Sequence, residues 1–170
     1  MAKAAPKKTT KKRATKKKSV AARTPSALEA KAYNKVVESA TIEDIRLIGS
    51  EFQIEPGYFA DDGEVERCFV RNIGTGEVTY SKEERILTVS FEFSIQVTRK
   101  DALLLKCRAL YVVFFTLSEE VDENSARSFA KRTGKNAAYP YFREFASSQS
   151  WASGADLPIL PILKFVPPKT

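Results

Sequence analysis

The sequence predicts an α+β fold in which a helix packs on one face of a four-stranded antiparallel sheet, within a single domain of residues 24–170. Three patterns favour this fold class. Apolar and polar residues alternate from Leu87 to Thr98, as in a strand with one buried face. The turn Arg99-Lys100-Asp101 is short enough to pair this strand with the next apolar stretch as an antiparallel hairpin. A helical pattern rich in aromatic side chains follows and needs a partner to cover it.

A disordered basic tail is predicted before the domain, at residues 1–23. Met1–Arg23 holds ten of the 28 Lys and Arg residues and no acid, so the remaining 18 basic and 21 acidic residues give the domain a net charge of −3. The tail has too little apolar surface to offset the entropy of ordering it. It lacks the apolar stretch of a secretory signal, and no segment is long enough to span a membrane, which predicts a cytoplasmic protein without membrane insertion.

The composition of the tail is compatible with two roles. It predicts either a nonspecific electrostatic arm for nucleic acid or another polyanion, or a solubilising extension that needs no partner. The residues that would bind a polyanion are Lys7, Lys8, Lys11, Lys12, Arg13, Lys16, Lys17 and Lys18.

The first helix and the first two strands are predicted from a cap, from alternation and from turns. A Ser/Glu capping box starts a helix over residues 26–38. The first strand covers residues 41–54, and its apolar positions change parity at Gly49, which predicts a β-bulge. The second strand is expected at residues 65–73, ended by the glycines of residues 74–76.

The fourth strand is apolar on both faces. Its predicted core face consists of Leu103, Leu105, Cys107, Ala109, Tyr111, Val113, Phe115 and Leu117. The opposite face is apolar at Leu110, Val112 and Phe114. A soluble monomer does not leave such a surface bare, so an internal helix, another subunit or an apolar ligand is expected to cover it.

Helices are predicted after the sheet, divided by glycine and proline. Acidic residues at positions 119–123 favour the positive end of a helix dipole, which explains them more simply than a catalytic carboxylate pair does. Gly134 is expected to break the helix, and Pro140 to lie in the first turn of another that ends near Ala152. Arg143 and Glu144 are adjacent and point in different directions, so each is expected to need its own partner.

The composition argues against an enzyme. Without histidine, the chain cannot form a Ser-His-Asp or Cys-His arrangement or a histidine metal centre. Cys68 and Cys107 are too few for a zinc site and are expected to be buried apolar residues. No glycine-rich phosphate loop marks a nucleotide site. We therefore expect no catalytic residue, metal or cofactor.

A C-terminal motif is similar to that of a known family. The chain resembles the SecB-type protein-export chaperones at Tyr139, Pro140, Tyr141, Arg143, Glu144 and Gly154, and in the proline-rich residues 157–163. The order of strands, helix and proline-rich segment agrees with that family, and the resemblance covers about residues 40–165. Residues 41–47 are also similar to the first strand of SecB-like chaperones that are encoded with toxin–antitoxin pairs.

The resemblance implies a homotetrameric, ATP-independent chaperone that holds unfolded polypeptides in apolar grooves. Its clients would be preproteins for export or an unstable antitoxin. The candidate groove residues are Leu110, Val112, Phe114, Leu157, Ile159, Leu160 and Ile162. An alternative from another class is a nucleic-acid-associated protein that binds polyanions through its tail and uses the domain for oligomerisation.

The sequence departs from this family in two ways. In the export chaperones an acidic surface docks the translocation motor, and Glu51 and Glu55 match two of its acids, but Arg108 stands where an acid is expected. A cation there opposes the docking of a basic partner. The family's second long helix has no counterpart, which predicts a groove that is more open or is covered by the helix of residues 26–38.

Overall fold

A computed structural model describes residues 27–60 and 67–163. In chain order, its helices and strands are α1 (Ala27–Ser39), β1 (Ala40–Ile54), β2 (Cys68–Ser81), β3 (Ile86–Arg99), β4 (Ala102–Leu117), α2 (Glu123–Phe129) and α3 (Lys135–Ser153). The predicted tail, its polyanion-binding residues and the serine of the capping box lie outside the described residues. Within those residues, no helix has the length and hydropathy needed to cross a membrane.

The four strands form one antiparallel sheet in the order β1-β4-β3-β2, which confirms the predicted sheet. The predicted hairpin joins β3 to β4, where Arg99 pairs with Ala102. Lys100 and Asp101, between them, have φ values of 48° and 66°. Positive φ at both central positions is typical of a type I′ turn, whose twist matches that of the paired strands.

β1 contains the predicted bulge. Its register against β4 shifts between Leu47 and Gly49. Leu47 pairs with Tyr111 before the shift, and Phe52 pairs with Cys107 after it. Tyr111 and Cys107 are both buried on the core face of β4, so the extra residue returns the apolar side chains of β1 to one face of the sheet.

β2 is longer than predicted. It continues to Ser81 through Gly74-Thr75-Gly76, where the sequence predicts its end. The register against β3 shifts in this region, and a Cβ atom at Gly76 would overlap the hydroxyl oxygen of Ser90. The glycine therefore permits a close approach of two strands at an irregularity, and it does not end the strand.

The two cysteines lie in different environments. Cys107 is buried as predicted, and burial raises the pKa of its thiol to about 12. Cys68 is exposed, so the prediction that it is buried is wrong. It begins β2, an edge strand. Leu103 is also exposed, near the start of β4, whereas the other seven predicted core residues of that strand are buried.

The helices cover one face of the sheet. Phe142 of α3 stacks on Phe93 of β3, with ring centroids 5.3 Å apart. Phe129 of α2 lies edge-on to Phe115 of β4, also at 5.3 Å. Tyr33 of α1 packs against the same Phe129 ring, with ring centroids 6.2 Å apart. These aromatic contacts confirm the α+β fold with helices packed on one face.

The helical segment after the sheet is continuous where the sequence predicts a break. A single π-helical turn, Ala130–Gly134, joins α2 to α3, and Gly134 has a helical φ of −60°. Pro140, predicted in a first turn, lies inside α3. Both predictions are wrong because packing on the sheet overrides local preference. A Cβ atom at Gly134 would lie 2.8 Å from Phe91 and Val89, so this glycine lets the helix approach β3 closely.

We expect Gly134→Ala to destabilise the fold by a net of roughly 1–2 kcal/mol, because an added methyl group in a packed contact outweighs the gain in helix propensity. Gly57→Ala is the matched control, since its Cβ atom would meet Leu104 at an ordinary 3.7 Å. Urea unfolding measures both. An unchanged free energy of unfolding for Gly134→Ala would contradict the close approach.

The acidic segment starts α2 as predicted. Asp122 is the N-cap, and its carboxylate accepts a hydrogen bond from the backbone N–H of Ser125 at 2.8 Å. This bond holds the pKa of the Asp122 carboxyl below its usual value. Glu123 lies in the first turn, and Glu119 forms an ion pair with Lys35 of α1 at 3.1 Å. The segment thus caps one helix and attaches another to it.

Asp122→Ala should cost about 1 kcal/mol at neutral pH through loss of the cap. The folded-state pKa is lowered, so the stabilisation is fully present above the unfolded pKa of about 3.9 and is lost as the pH falls through the folded pKa. Asp122→Asn keeps a cap without a titrating group and should retain most of the stability at neutral pH. Thermal melting against pH checks this, and equal melting temperatures for the two variants at pH 7 would rule the cap out.

Candidate functional site

A groove of about 640 Å³ lies between the second half of α3 and the chain that follows it, residues 154–163, which we call the return segment. Its lining residues are Ile95, Pro140, Arg143, Glu144, Ala146, Ser147, Ser150, Trp151, Gly154, Ala155, Asp156, Leu157, Pro158, Ile159 and Leu160. β3 supplies one of these residues, the buried Ile95, and α3 and the return segment supply the rest.

The turn at the end of α3 builds the groove. Gly154 ends the helix with a left-handed φ of 68°, a conformation that glycine adopts without strain. The hydroxyl of Ser150 donates to the carbonyl of Ala155 and accepts from the backbone N–H of Leu157 at 3.3 Å. These bonds direct the chain back along the helix, so that helix and return segment form the two walls.

The return segment has a three-residue period. Leu157, Leu160 and Leu163 are partly buried against the core. Ile159 and Ile162, between them, are 93% and 73% exposed. This period is typical of an extended, proline-rich chain. The segment therefore packs on the domain with one set of side chains and presents a second apolar set to solvent.

α3 lines the groove with one helical stripe, which runs through Pro140, Arg143, Ser147 and Trp151. Trp151 is 84% exposed, and sequence reasoning missed it. The signal was present, because these residues recur at three- or four-residue intervals and Trp151 is the only tryptophan of the chain. A wide exposed indole at the rim of a groove offers a large apolar contact area for a ligand.

The predicted motif residues divide between core and groove. Tyr139 is buried, and its hydroxyl accepts a hydrogen bond from Arg71 at 3.0 Å. Tyr141 is exposed and lies 6.5 Å from the Tyr111 ring. The remaining four motif residues, Pro140, Arg143, Glu144 and Gly154, line the groove.

Arg143 is half-buried in the groove wall, and among the described residues it makes no hydrogen bond or ion pair. Glu144 is exposed, and its carboxylate accepts only a long 3.4 Å bond from Ser148. The expectation that each needs its own partner across a packed surface is therefore wrong for Arg143. Its guanidinium donors remain available to a ligand in the groove.

The candidate client-binding residues of β4 lie on a different surface from the groove. Leu110, Val112 and Phe114 are half-buried on the face of the sheet opposite the helices, which we call the open face. Arg46 lies over the Phe114 ring at 5.1 Å, but no described helix covers this face. Leu157, Ile159 and Leu160 line the groove on the helical side, and Ile162 lies beyond its lining residues. The structure therefore separates the candidates of β4 from those of the return segment.

The charges of the open face pair with one another. Lys106 binds Glu51 at 2.8 Å, which occupies one of the two predicted docking acids. Glu55, the other, accepts from the amide of Gln53 at 2.8 Å. Arg108 binds Glu92 at 2.6 Å and thereby holds the pKa of the Glu92 carboxyl below its usual value. The face is close to neutral, which disfavours a docking partner of either charge.

The described part of the chain shows no group of three or more acidic or cysteine side chains placed to hold a metal ion. What the groove offers is apolar contact area, one cation that forms no ion pair with the described residues, and two exposed carboxylates, Glu144 and Asp156. This arrangement suits noncovalent binding of an extended apolar chain that carries polar backbone groups.

We expect Arg143→Ala to change the free energy of unfolding by no more than about 0.5 kcal/mol, because the wild-type side chain has no described partner to lose. Arg71→Ala is the matched control and should cost about 1–3 kcal/mol, since it leaves the buried Tyr139 hydroxyl without its donor. Chemical unfolding of both variants measures the difference. A larger loss for Arg143→Ala than for Arg71→Ala would reverse this assignment.

Comparisons with known proteins agree with the resemblance seen in the sequence. No protein-family model matches the chain. A segment of 52 residues, 29% of the chain, is 42% identical to the SecB-like chaperone SmegB of Mycolicibacterium smegmatis and spans 36% of that protein. The structure of the Mycobacterium tuberculosis Rv1957 SecB-like chaperone, in complex with a ChAD peptide from the Rv1956 HigA1 antitoxin, superposes with a TM-score of 0.60. That superposition has 16% sequence identity and covers 82% of this chain and 99% of the other.

The two findings complement each other. The superposition shows a shared fold over most of the chain, and the matched segment adds a direct similarity of sequence to a second protein of the same description. Together with the four-stranded sheet, the long α3 and the return segment, they show that the chain has the fold of one SecB-like chaperone and that a 52-residue segment is similar in sequence to another.

Proposed function

We propose that this protein is an ATP-independent chaperone that holds unfolded polypeptides in the groove between α3 and the return segment. The observation that carries the proposal is the exposed apolar rim of that groove, where Trp151 is 84% and Ile159 is 93% exposed. Large apolar side chains that are exposed together beside a cavity are typical of a binding surface. Covering them with the apolar side chains of a client provides the driving force for binding.

The shape and chemistry of the groove support binding of many sequences. Its volume of about 640 Å³ accommodates only a few residues of an extended chain at a time. Apolar contacts would come from Pro140 and Trp151 on α3 and from the return segment, while Arg143 can donate to client carbonyl or carboxylate oxygens. Such contacts depend little on the identity of each client residue. No catalytic step is part of the proposal.

The proposed client class includes an antitoxin. One structural neighbour is a SecB-like chaperone in complex with a ChAD peptide from an antitoxin. The fold shared with that protein supports the same client class for this chain. We further propose a cytoplasmic homotetramer, in which additional subunits would cover apolar positions of the open face and extend the groove.

We favour a role in the export of preproteins through a translocation motor less than the binding of an antitoxin. In the export chaperones, as the sequence resemblance implies, the motor docks on an acidic surface. Here Lys106 neutralises Glu51, and Arg108 pairs with Glu92 on the same face of the sheet. A basic partner would have to displace both cations. Binding of nucleic acid through residues 1–23 remains a second proposal, supported by the ten basic residues and the absence of acids there.

The test is suppression of light scattering when a chemically denatured, unrelated protein is diluted into buffer without ATP. The wild-type chain should suppress scattering, with or without residues 1–23. Ile159→Ser should weaken suppression roughly tenfold or more, because a large apolar contact with the client is lost. Since Ile159 is 93% exposed in the free protein, its folding should be unaffected.

Val112→Ser on the open face is the comparison variant, because it makes a similar substitution on the other candidate surface. We expect it to retain suppression, and thermal melting shows that each variant is folded. Loss of suppression in Val112→Ser alone, with the oligomeric state of the wild-type chain retained in gel filtration, would move the client site to the open face. If the wild-type chain suppresses nothing, the general holdase proposal fails.

A further inference from the structure

Tyr58 connects the return segment to the sheet. It lies in the short 3₁₀ turn Pro56–Tyr58 that follows β1, and it is 2% exposed. Its hydroxyl donates a hydrogen bond to the backbone carbonyl of Asp156 at 3.0 Å. Asp156 belongs to the return segment and lines the groove. One buried side chain thus joins a turn of the sheet to a wall of the candidate site.

The turn that carries Tyr58 is held on several sides. The backbone N–H of Glu55 donates to Leu104 of β4 at 2.9 Å, and Tyr58 N–H donates to Glu55 at 2.8 Å. Arg67 covers the Tyr58 ring at 4.5 Å and donates to its backbone carbonyl at 2.8 Å. The phenol is therefore presented from a fixed position.

The return segment has few other polar attachments. Its remaining hydrogen bonds within the described residues go to the end of α3 or to the segment itself, through Ser150, Trp151, Ser153 and Ala155. Those bonds tie Ala155 and Leu157, the two neighbours of Asp156, to the end of α3, and none of them reaches the sheet. Among the described residues, the Tyr58 hydroxyl makes the one hydrogen bond that ties this wall to the sheet.

We propose that Tyr58 is a positioning residue that sets the width of the groove by anchoring the return segment. The inference rests on the proposed function in one respect. We expect the anchor to control the affinity for a client that Tyr58 itself does not contact. Apolar packing of Leu157 and Leu160 alone would leave the wall free to slide, because apolar contacts are not directional. A hydrogen bond to one carbonyl selects one position.

The first test is amide hydrogen exchange on the free protein, with Tyr58→Phe and Tyr139→Phe compared. Each variant removes the hydroxyl of a tyrosine that is 2% exposed and makes one side-chain hydrogen bond in the described structure. Tyr139 lies in the core and does not line the groove. Exchange in residues 155–157 should rise about three- to tenfold in Tyr58→Phe relative to Tyr139→Phe. Equal exchange in the two variants overturns the inference.

The second test measures affinity for an unfolded probe, reduced and carboxymethylated ribonuclease A, by titration of the full chain. Tyr58→Phe should bind about three- to tenfold more weakly than Tyr139→Phe. Equal affinities would show that the anchor does not govern binding and would overturn the inference. If the wild-type chain does not bind the probe, the proposed function fails, and the exchange result alone decides whether Tyr58 anchors the wall.

Discussion

The stacking of Phe142 on Phe93 is the contact on which the site depends. The two rings lie 17° from parallel, and Phe93 also contacts Tyr111 and Tyr139 within about 6 Å. This cluster fixes the rotation of α3 about its own axis. Because Phe142 points into the sheet, the neighbouring stripe from Pro140 to Trp151 must face sideways, over the buried Ile95. The groove is a consequence of how the helix docks.

The two faces of the sheet have different chemistry, and this difference organises the proposed function. The helical face has an apolar core with a groove at its margin, where binding surface remains uncovered. The open face combines an apolar row on β4 with ion pairs that neutralise one another, such as Arg108 with Glu92. An apolar, neutral surface suits contact between subunits better than recognition of a charged partner. One sheet can thus support assembly on one side and client binding on the other.

The sequence was sufficient for features that depend on short-range patterns. Alternation predicted β3 and β4, and the change of parity at Gly49 predicted the bulge of β1. Local rules failed where tertiary packing decides, as at Gly134 and Pro140, which lie inside one continuous helical segment. The anchor at Tyr58 could not be predicted, because it joins residues 98 positions apart and no periodic signal marks such a pair. The sequence predicts the groove candidates of the return segment, but only the structure shows that they lie on a different surface from Val112.

The position of Trp151 also makes the groove optically distinct. It is the only tryptophan in the sequence, and its ring lies almost wholly in water at the rim. The emission of an indole shifts to shorter wavelength when an apolar surface replaces the surrounding water. All tryptophan fluorescence of the protein therefore comes from this rim, and occupancy can be followed without a label when the ligand itself lacks tryptophan.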